Sequence, residues 1–262
     1  MNRLEAHLRA LRDRGERGVV PFVTAGDPDL GTTAHILTAL SDAGAAAIEV
    51  GIPFSDPIAD GPTIQASSQR ALEGGATLAG VLDMLAGLRD RIACPIVAFS
   101  YVNPIHRMGY TEFAARAVEA GVDAVLLTDA VPGAAPALEK ALADAGLARI
   151  VLIAPTTPPS RIDTLATHAE GFVYVIARRG VTGRGSEQSE APRLVERLQA
   201  STDVPVYVGF GVRERADVER ISAYADGVIV GSALVDHLHQ TPVHERPAAA
   251  GAMLRRLLGH DA

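Results

Sequence analysis

Short apolar runs alternate along this 262-residue chain with segments whose apolar residues recur at helical spacing. Most runs are apolar at consecutive positions rather than alternate ones, which is typical of parallel strands covered by helices on both faces. Between the runs, leucines at steps of three, such as Leu82, Leu85 and Leu88, predict helices. The predicted strands are residues 19–24, 46–51, 95–100, 124–128, 150–154, 172–177, 206–209 and 227–230.

Eight strand–helix units in a chain of this length predict an α/β fold, a single (β/α)8 TIM barrel with an extra N-terminal helix. Leu4, Leu8 and Leu11 share one face of that helix, which is predicted over residues 1–16 and expected to cover the bottom of the barrel. Residues 1–262 are predicted to form one domain because no stretch is long enough to be a linker. An open doubly wound sheet is the alternative, but the first strand lacks a following G-x-G-x-x-G motif.

Composition narrows the class of protein. The formal net charge of -7 argues against a general nucleic-acid binder. Cys94 is the single cysteine, so no intrachain disulfide is possible and a small buried side chain is expected. Charged residues occur throughout the first 17 residues, which lack the apolar centre of a signal peptide. No apolar run in the sequence reaches the length of a membrane span. A soluble cytoplasmic protein is therefore expected.

Candidate chemistry begins in the second predicted strand, where Glu49 lies between Ile48 and Val50. A carboxylate inside an apolar strand is costly unless it is paired or used. If Ile48 and Val50 face the helices, Glu49 faces the barrel interior, where burial would raise its pKa and suit it to proton transfer. A structural glutamate paired with a buried arginine or lysine explains the position equally well.

Asp60 follows in the loop after that strand and precedes Gly61 and Pro62. Asp before Gly is often only a turn former. The alternative is that Asp60 and Glu49 form an acid–base pair, because two carboxyl groups in different environments can take different protonation states.

Glycines mark the loops after the last three predicted strands: Gly183 after the sixth, Gly211 after the seventh, and Gly231 with Ser232 after the eighth. In barrels of this kind, loops after strands seven and eight frequently bind phosphate through backbone N–H groups. A phosphate-bearing ligand is therefore predicted. The eight histidines have no metal-ligand spacing with nearby Cys, Asp or Glu, so no metal site is predicted.

Several sequence blocks, in order along most of the chain, resemble the tryptophan synthase alpha subunit family. The blocks are residues 21–28, 49–65, 101–104, 178–183, 209–212 and 231–233. The resemblance implies an enzyme that cleaves indole-3-glycerol phosphate to indole and glyceraldehyde 3-phosphate by a retro-aldol reaction. It also implies that this chain needs no cofactor of its own.

The resemblance further implies roles for individual residues. Glu49 would be the main acid–base residue, and Asp60 would hold the indole N–H and stabilise positive charge on the ring. Phe22 and Phe210 would form the indole slot, and the glycine loops with Ser232 would bind the phosphate. The full set of implied substrate-binding residues is Phe22, Tyr101, Tyr174, Thr182, Gly183, Phe210, Gly211, Gly231 and Ser232.

A partner is implied as well: a tryptophan synthase beta subunit that carries pyridoxal phosphate, in an alpha2beta2 assembly. Pro53, Phe54, Asp56 and Asn103 would lie at the contact. Residues 128–135 depart from the family pattern, because two residues instead of one separate Asp129 from Pro132 and no acidic residue follows in that stretch. Residues 183–187 differ locally. Three interpretations stay open: the alpha subunit, a free-standing lyase that releases indole, and an inactive homologue that activates a beta subunit. The presence of both Glu49 and Asp60 disfavours the third.

Overall fold

Eight parallel strands close into a barrel in chain order in the computed structural model, which describes residues 2–176, 187–209 and 211–260. The last strand pairs with the first, with Gly18 opposite Gly227, so the sheet has no free edge. This closure confirms the predicted TIM barrel and excludes the open sheet. The strands are β1 Gly18–Thr24, β2 Ile48–Gly51, β3 Ile96–Ser100, β4 Ala124–Leu127, β5 Ala148–Ile153, β6 Val173–Ile176, β7 Val206–Gly209 and β8 Gly227–Val230.

Every predicted strand is present, and the ends differ from the predicted ones by at most two residues. The predicted end of the sixth strand, Ala177, lies outside the described residues. The helices are α1 Arg3–Asp13, α2 Leu30–Asp42, α3 Pro62–Glu73, α4 Leu78–Ala86, α5 Val102–Met108, α6 Tyr110–Glu119, α7 Pro136–Asp144, α8 Pro159–Ala166, α9 Glu187–Ser201, α10 Arg215–Ser222, α11 Ser232–Gln240 and α12 Arg246–Leu258, with a short 3-10 helix at Val243–Glu245.

Alternate residues of each strand face two different cores. Ile48 and Val50 belong to the large cluster between the strands and the surrounding helices. Val97 and Ala124 belong to the smaller cluster inside the barrel. Because side chains alternate along a strand, Glu49 is left on the inner face of β2, paired in register with Phe22 and Val97 on the flanking strands.

The N-terminal helix α1 lies against the N-terminal ends of the strands. The Asn2 side chain caps it by accepting a hydrogen bond from Glu5 N at 3.0 Å. Leu4 and Leu8 are fully buried in the cluster inside the barrel, and the Asn2 amide donates to the Asp123 carbonyl just before β4. The opposite end of the barrel, where the strands end, is left open to ligands. That residues 1–262 form one domain stays a prediction.

None of the helices in the described ranges combines the length and the apolar character needed to cross a membrane.

Candidate active site

A cavity of about 610 Å³ opens at the carboxyl ends of the strands, where active sites of (β/α)8 barrels lie. It brings together residues that are far apart in the chain, from β1 to α12. The predicted site residues in its wall are Phe22, Glu49, Asp60, Tyr174, Gly211, Gly231 and Ser232. Thr182, Gly183 and Phe210 lie outside the described residues.

Glu49 is the most deeply buried acid of the site, with 1% of its surface exposed. Among the residues that the structure describes, neither of its carboxyl oxygens has a hydrogen-bond partner, and no Lys or Arg lies within ion-pair distance. Burial, which disfavours the charged form, raises the pKa of Glu49 to about 8. At neutral pH the side chain is therefore mostly a carboxylic acid that can both give and take a proton. The alternative of a structural ion pair has no support in the described part of the chain.

Asp60 differs from Glu49 because it has a hydrogen-bond donor. The Tyr101 hydroxyl donates to Asp60 Oδ2 at 3.0 Å and accepts from the Ala59 N–H at 3.0 Å. Partial burial raises the pKa of Asp60, and the hydrogen bond from Tyr101 opposes that rise. Burial and the Asp60 charge raise the pKa of Tyr101 to about 12, so its hydroxyl remains a donor. Tyr101, predicted to bind substrate, contacts the site through Asp60.

The apolar part of the cavity lies next to Glu49 and contains Phe22 and Phe99. Their rings meet edge to face, with centroids 5.0 Å apart. Gly51 makes this possible, because a Cβ at that position would overlap the ring of Phe22. The slot is therefore shaped for a flat apolar group beside a carboxylic acid. Phe99 was not predicted as a site residue. Side chains alternate along β3, so Ala98 toward the helices would have indicated that Phe99 faces the barrel interior.

Tyr174 lies on β6, across the barrel from β2. A Cβ at Gly209 on the neighbouring strand would overlap its hydroxyl end, so this glycine gives the ring its space. Burial, followed by the charges of Glu49 and Asp60, raises the pKa of Tyr174 well above its ordinary value. Tyr174 therefore stays neutral and close to both carboxyl groups.

The glycine loops form the other end of the cavity. Gly231 is the N-cap of α11, and Ser232 is the first residue of that helix. Gly211 has a φ of 47°, a left-handed conformation that favours glycine. Exposed N–H groups at a helix start attract anions. The loop after β6, with Gly183, lies outside the described residues.

Further residues that line the cavity were not identified in the sequence, among them Arg213, Asp236, His237 and Arg256. Arg213 follows Gly211 by two residues, so the glycine loop itself was a signal for it. Arg256 comes from α12, whose packing on α2 no local pattern predicts. No group of three His, Cys, Asp or Glu in residues 2–176, 187–209 and 211–260 is arranged to hold a metal ion.

The four predicted partner-contact residues lie on the rim next to the cavity, but they differ in exposure. Asp56 and Asn103 are exposed, Phe54 is half-buried and Pro53 is buried. The ring of Phe54 packs on Tyr101 with centroids 5.0 Å apart. Phe54 on the rim is therefore in contact with Tyr101, the residue that donates a hydrogen bond to Asp60.

Comparison with known proteins gives a consistent result. A family model described as "Tryptophan synthase alpha chain" matches residues 8–256. The tryptophan synthase alpha chain of Chromobacterium violaceum is 45% identical over 246 residues, which cover 93% of this chain and 92% of that relative. The tryptophan synthase alpha chain of Alkalilimnicola ehrlichii is 43% identical over 261 residues, 99% of this chain and 94% of the relative.

Solved structures agree in fold. The tryptophan synthase alpha subunit from Legionella pneumophila has a TM-score of 0.88 at 33% identity, covering 99% of this chain and 98% of that chain. A structure of Mycobacterium tuberculosis tryptophan synthase has a TM-score of 0.89 at 35% identity, covering 98% and 97%.

Proposed function

The chain belongs to the tryptophan synthase alpha chain family, and from that premise we propose that it is a carbon–carbon lyase with Glu49 as its proton-transfer residue. The reaction is the retro-aldol cleavage of indole-3-glycerol phosphate to indole and glyceraldehyde 3-phosphate. The observation that carries the proposal is that Glu49 is buried without a hydrogen-bond partner among the described residues, in the same cavity as Asp60 and the described glycine loops. A neutral acid in an apolar slot is suited to protonating a ring carbon.

The first chemical step is protonation of the indole ring. The carboxylic acid of Glu49 gives its proton to ring carbon C3, which places a positive charge on the indole nitrogen. Asp60 accepts a hydrogen bond from the ring N–H and stabilises that charge as it develops. The hydrogen bond from Tyr101 supports this role, because it favours the ionised form of Asp60.

The second step breaks the carbon–carbon bond between C3 and the glycerol side chain. The Glu49 carboxylate takes the proton of the adjacent glycerol hydroxyl, whose oxygen becomes the aldehyde oxygen of glyceraldehyde 3-phosphate. The electrons of the broken bond return to the ring and restore neutral indole. Glu49 ends the cycle protonated, so one residue serves as acid and then as base without a cofactor in this chain.

The phosphate is bound at the opposite end of the cavity from the indole slot. Gly211, Gly231 and Ser232 supply backbone N–H groups and a hydroxyl, together with the residues Thr182 and Gly183 of the loop after β6. Tyr174 and Phe22 enclose the reacting part of the substrate. Binding of the substrate at both ends holds its scissile bond near Glu49, so the binding energy orients the reacting atoms.

Indole is proposed to pass to a beta subunit that holds pyridoxal phosphate, in an alpha2beta2 assembly. Exposed apolar side chains on the rim support such a contact. Ile58, in the loop between Asp56 and Asp60, is 85% exposed, and Val131, in the loop after β4, is 47% exposed. The β4 loop is held by hydrogen bonds from Val102 N to Asp129 and from Arg149 to the Ala130 carbonyl, at 3.0 and 3.1 Å.

The test is indole release from indole-3-glycerol phosphate by the purified chain, measured alone and with a family beta subunit. We expect slow release from the chain alone and a rise of at least about tenfold with the beta subunit, because closure of the rim loops completes the site. Fast release that the beta subunit does not change would indicate a free-standing lyase. No release under either condition would contradict the proposed activity.

A further inference from the structure

Arg70 on α3 forms a bidentate ion pair with Asp27, and neither residue is among the predicted site residues. Its Nε and Nη2 donate to the two carboxyl oxygens of Asp27 at 3.0 and 2.6 Å. Only 8% of the Asp27 side chain is exposed, and a second arginine, Arg246, approaches it at 3.9 Å. A bidentate pair of this kind fixes geometry as well as charge. It ties α3 to the loop after β1.

Two further contacts hold α3 in the same position. The hydroxyls of Thr24 on β1 and Ser67 on α3 are 2.6 Å apart and buried. The Thr63 hydroxyl, in the first turn of α3, donates to Asp236 on α11 at 3.3 Å. The hydrogen bonds that Arg70 donates to Asp27, and then the charges of Asp27 and Asp236, raise the pKa of Arg70. Arg70 therefore lies between the β1 loop and α11, the helix that begins at the proposed phosphate site.

The N-terminal end of α3 holds the proposed charge-stabilising residue. Asp60 is two residues before Pro62, where α3 begins. From α3, Gln65 Nε2 donates to the Asp60 carbonyl at 2.8 Å, and Gln65 N donates to the Gly61 carbonyl at 3.0 Å. A displacement of α3 would therefore move Asp60 relative to the substrate.

We propose that Arg70 is a positioning residue: through its pair with Asp27 it holds α3 and, through α3, sets where the Asp60 carboxylate meets the indole ring. Arg70 touches no substrate in this scheme, and it does not line the cavity. Misplacement of a catalytic group by about 1 Å is enough to lower a rate by up to about 10²-fold. The inference rests on the proposed function, since it assigns Arg70 a part in the same cleavage.

The experiment is a double-mutant cycle on indole release, with Arg70→Gln made in the native chain and in an Asp60→Asn chain. We expect Arg70→Gln alone to lower kcat about tenfold with KM changed less than about threefold, because positioning affects the reacting geometry more than binding. In the Asp60→Asn chain the same change should lower kcat less than about twofold, because the carboxylate that Arg70 positions is already absent. Arg70→Lys, which keeps the charge and loses the fork, should give an intermediate kcat.

The matched control is Arg197→Gln, which removes another bidentate pair, with Asp163, at 3.1 and 2.7 Å on the outer helices. It should leave kcat unchanged. If Arg70→Gln does not fold, Thr63→Val provides a second test, because it removes another contact that holds α3. A loss of kcat in the native chain, without a loss in the Asp60→Asn chain, supports the proposal. Equal losses in both backgrounds, or unchanged kcat per folded molecule, would overturn it. A native chain without cleavage activity refutes the proposed function, and the role of Arg70 with it.

Discussion

Glutamine in place of Glu49 is expected to lower kcat for indole release by about 10³-fold or more. Proton transfer by one positioned group contributes about 10²–10⁴-fold, and Glu49 performs both transfers of the cycle. Glutamine has nearly the same shape, but its amide cannot protonate ring carbon C3 or take the hydroxyl proton. KM should change little, because the phosphate end and the apolar slot are intact. The measurement is steady-state indole formation at saturating substrate.

Two comparisons separate this chemical effect from a folding defect. Glu119→Gln changes an exposed glutamate on α6, remote from the cavity, and should keep native kcat. Thermal unfolding followed by circular dichroism should show Glu49→Gln folded at the assay temperature. Native-like turnover by a folded Glu49→Gln protein would remove Glu49 from the mechanism.

The second large effect is expected for Asp60→Asn, with kcat lowered by about 10²-fold or more. Asparagine can still accept a hydrogen bond from the ring N–H, but it lacks the negative charge that stabilises the protonated ring. Loss of one preorganised electrostatic group in an active site costs about 10²–10³ in kcat. KM is expected to change only a few-fold, because the charge appears on the ring during reaction rather than on binding.

Folding of the Asp60→Asn protein is the decisive accompanying measurement. The turn at Asp60 is closed by its backbone N–H, which donates to the Pro57 carbonyl at 3.0 Å, and asparagine retains that bond. The variant should therefore unfold at a temperature close to that of the native chain. Asp90→Asn, exposed and far from the cavity, is the control for kcat. A strongly destabilised Asp60→Asn protein would favour the interpretation of Asp60 as a turn former only.

The strands were predictable because each is a local apolar run, and the alternation around Glu49 already indicated which face of β2 it occupies. Burial of Glu49 followed from that position. That no described residue pairs with it did not follow, because a partner could have come from any other strand. The number and order of the strand–helix units favoured the barrel over an open sheet. The pairing of β1 with β8, which has no local sequence signal, decided between them.

Contacts between residues of different loops and helices could not be predicted from the sequence. Tyr101 and Asp60 are 41 residues apart, and they meet because the loops after β2 and β3 lie side by side on the rim. Arg70 and Asp27 are 43 residues apart and pair because α3 packs against the end of β1. Neither residue has a sequence signature for the other. The roles of Thr182, Gly183 and Phe210 stay predictions.

The role of Glu49 as a neutral proton donor is tested most directly by the pH dependence of kcat/KM for indole release between pH 7 and 10. Burial raises the pKa of Glu49 to about 8, so its proton-donating form predominates at neutral pH and disappears above that value. We therefore expect kcat/KM to fall through an apparent pKa of about 8, with a slope that approaches about tenfold per pH unit, while circular dichroism shows the chain still folded. The substrate phosphate, with a second pKa of about 6, is already about nine-tenths in its doubly charged form at pH 7 and gains charge above it, so its titration does not cause a fall in kcat/KM over this range. A kcat/KM that stays constant or rises from pH 7 to pH 9.5 would contradict the claim that neutral Glu49 starts the reaction.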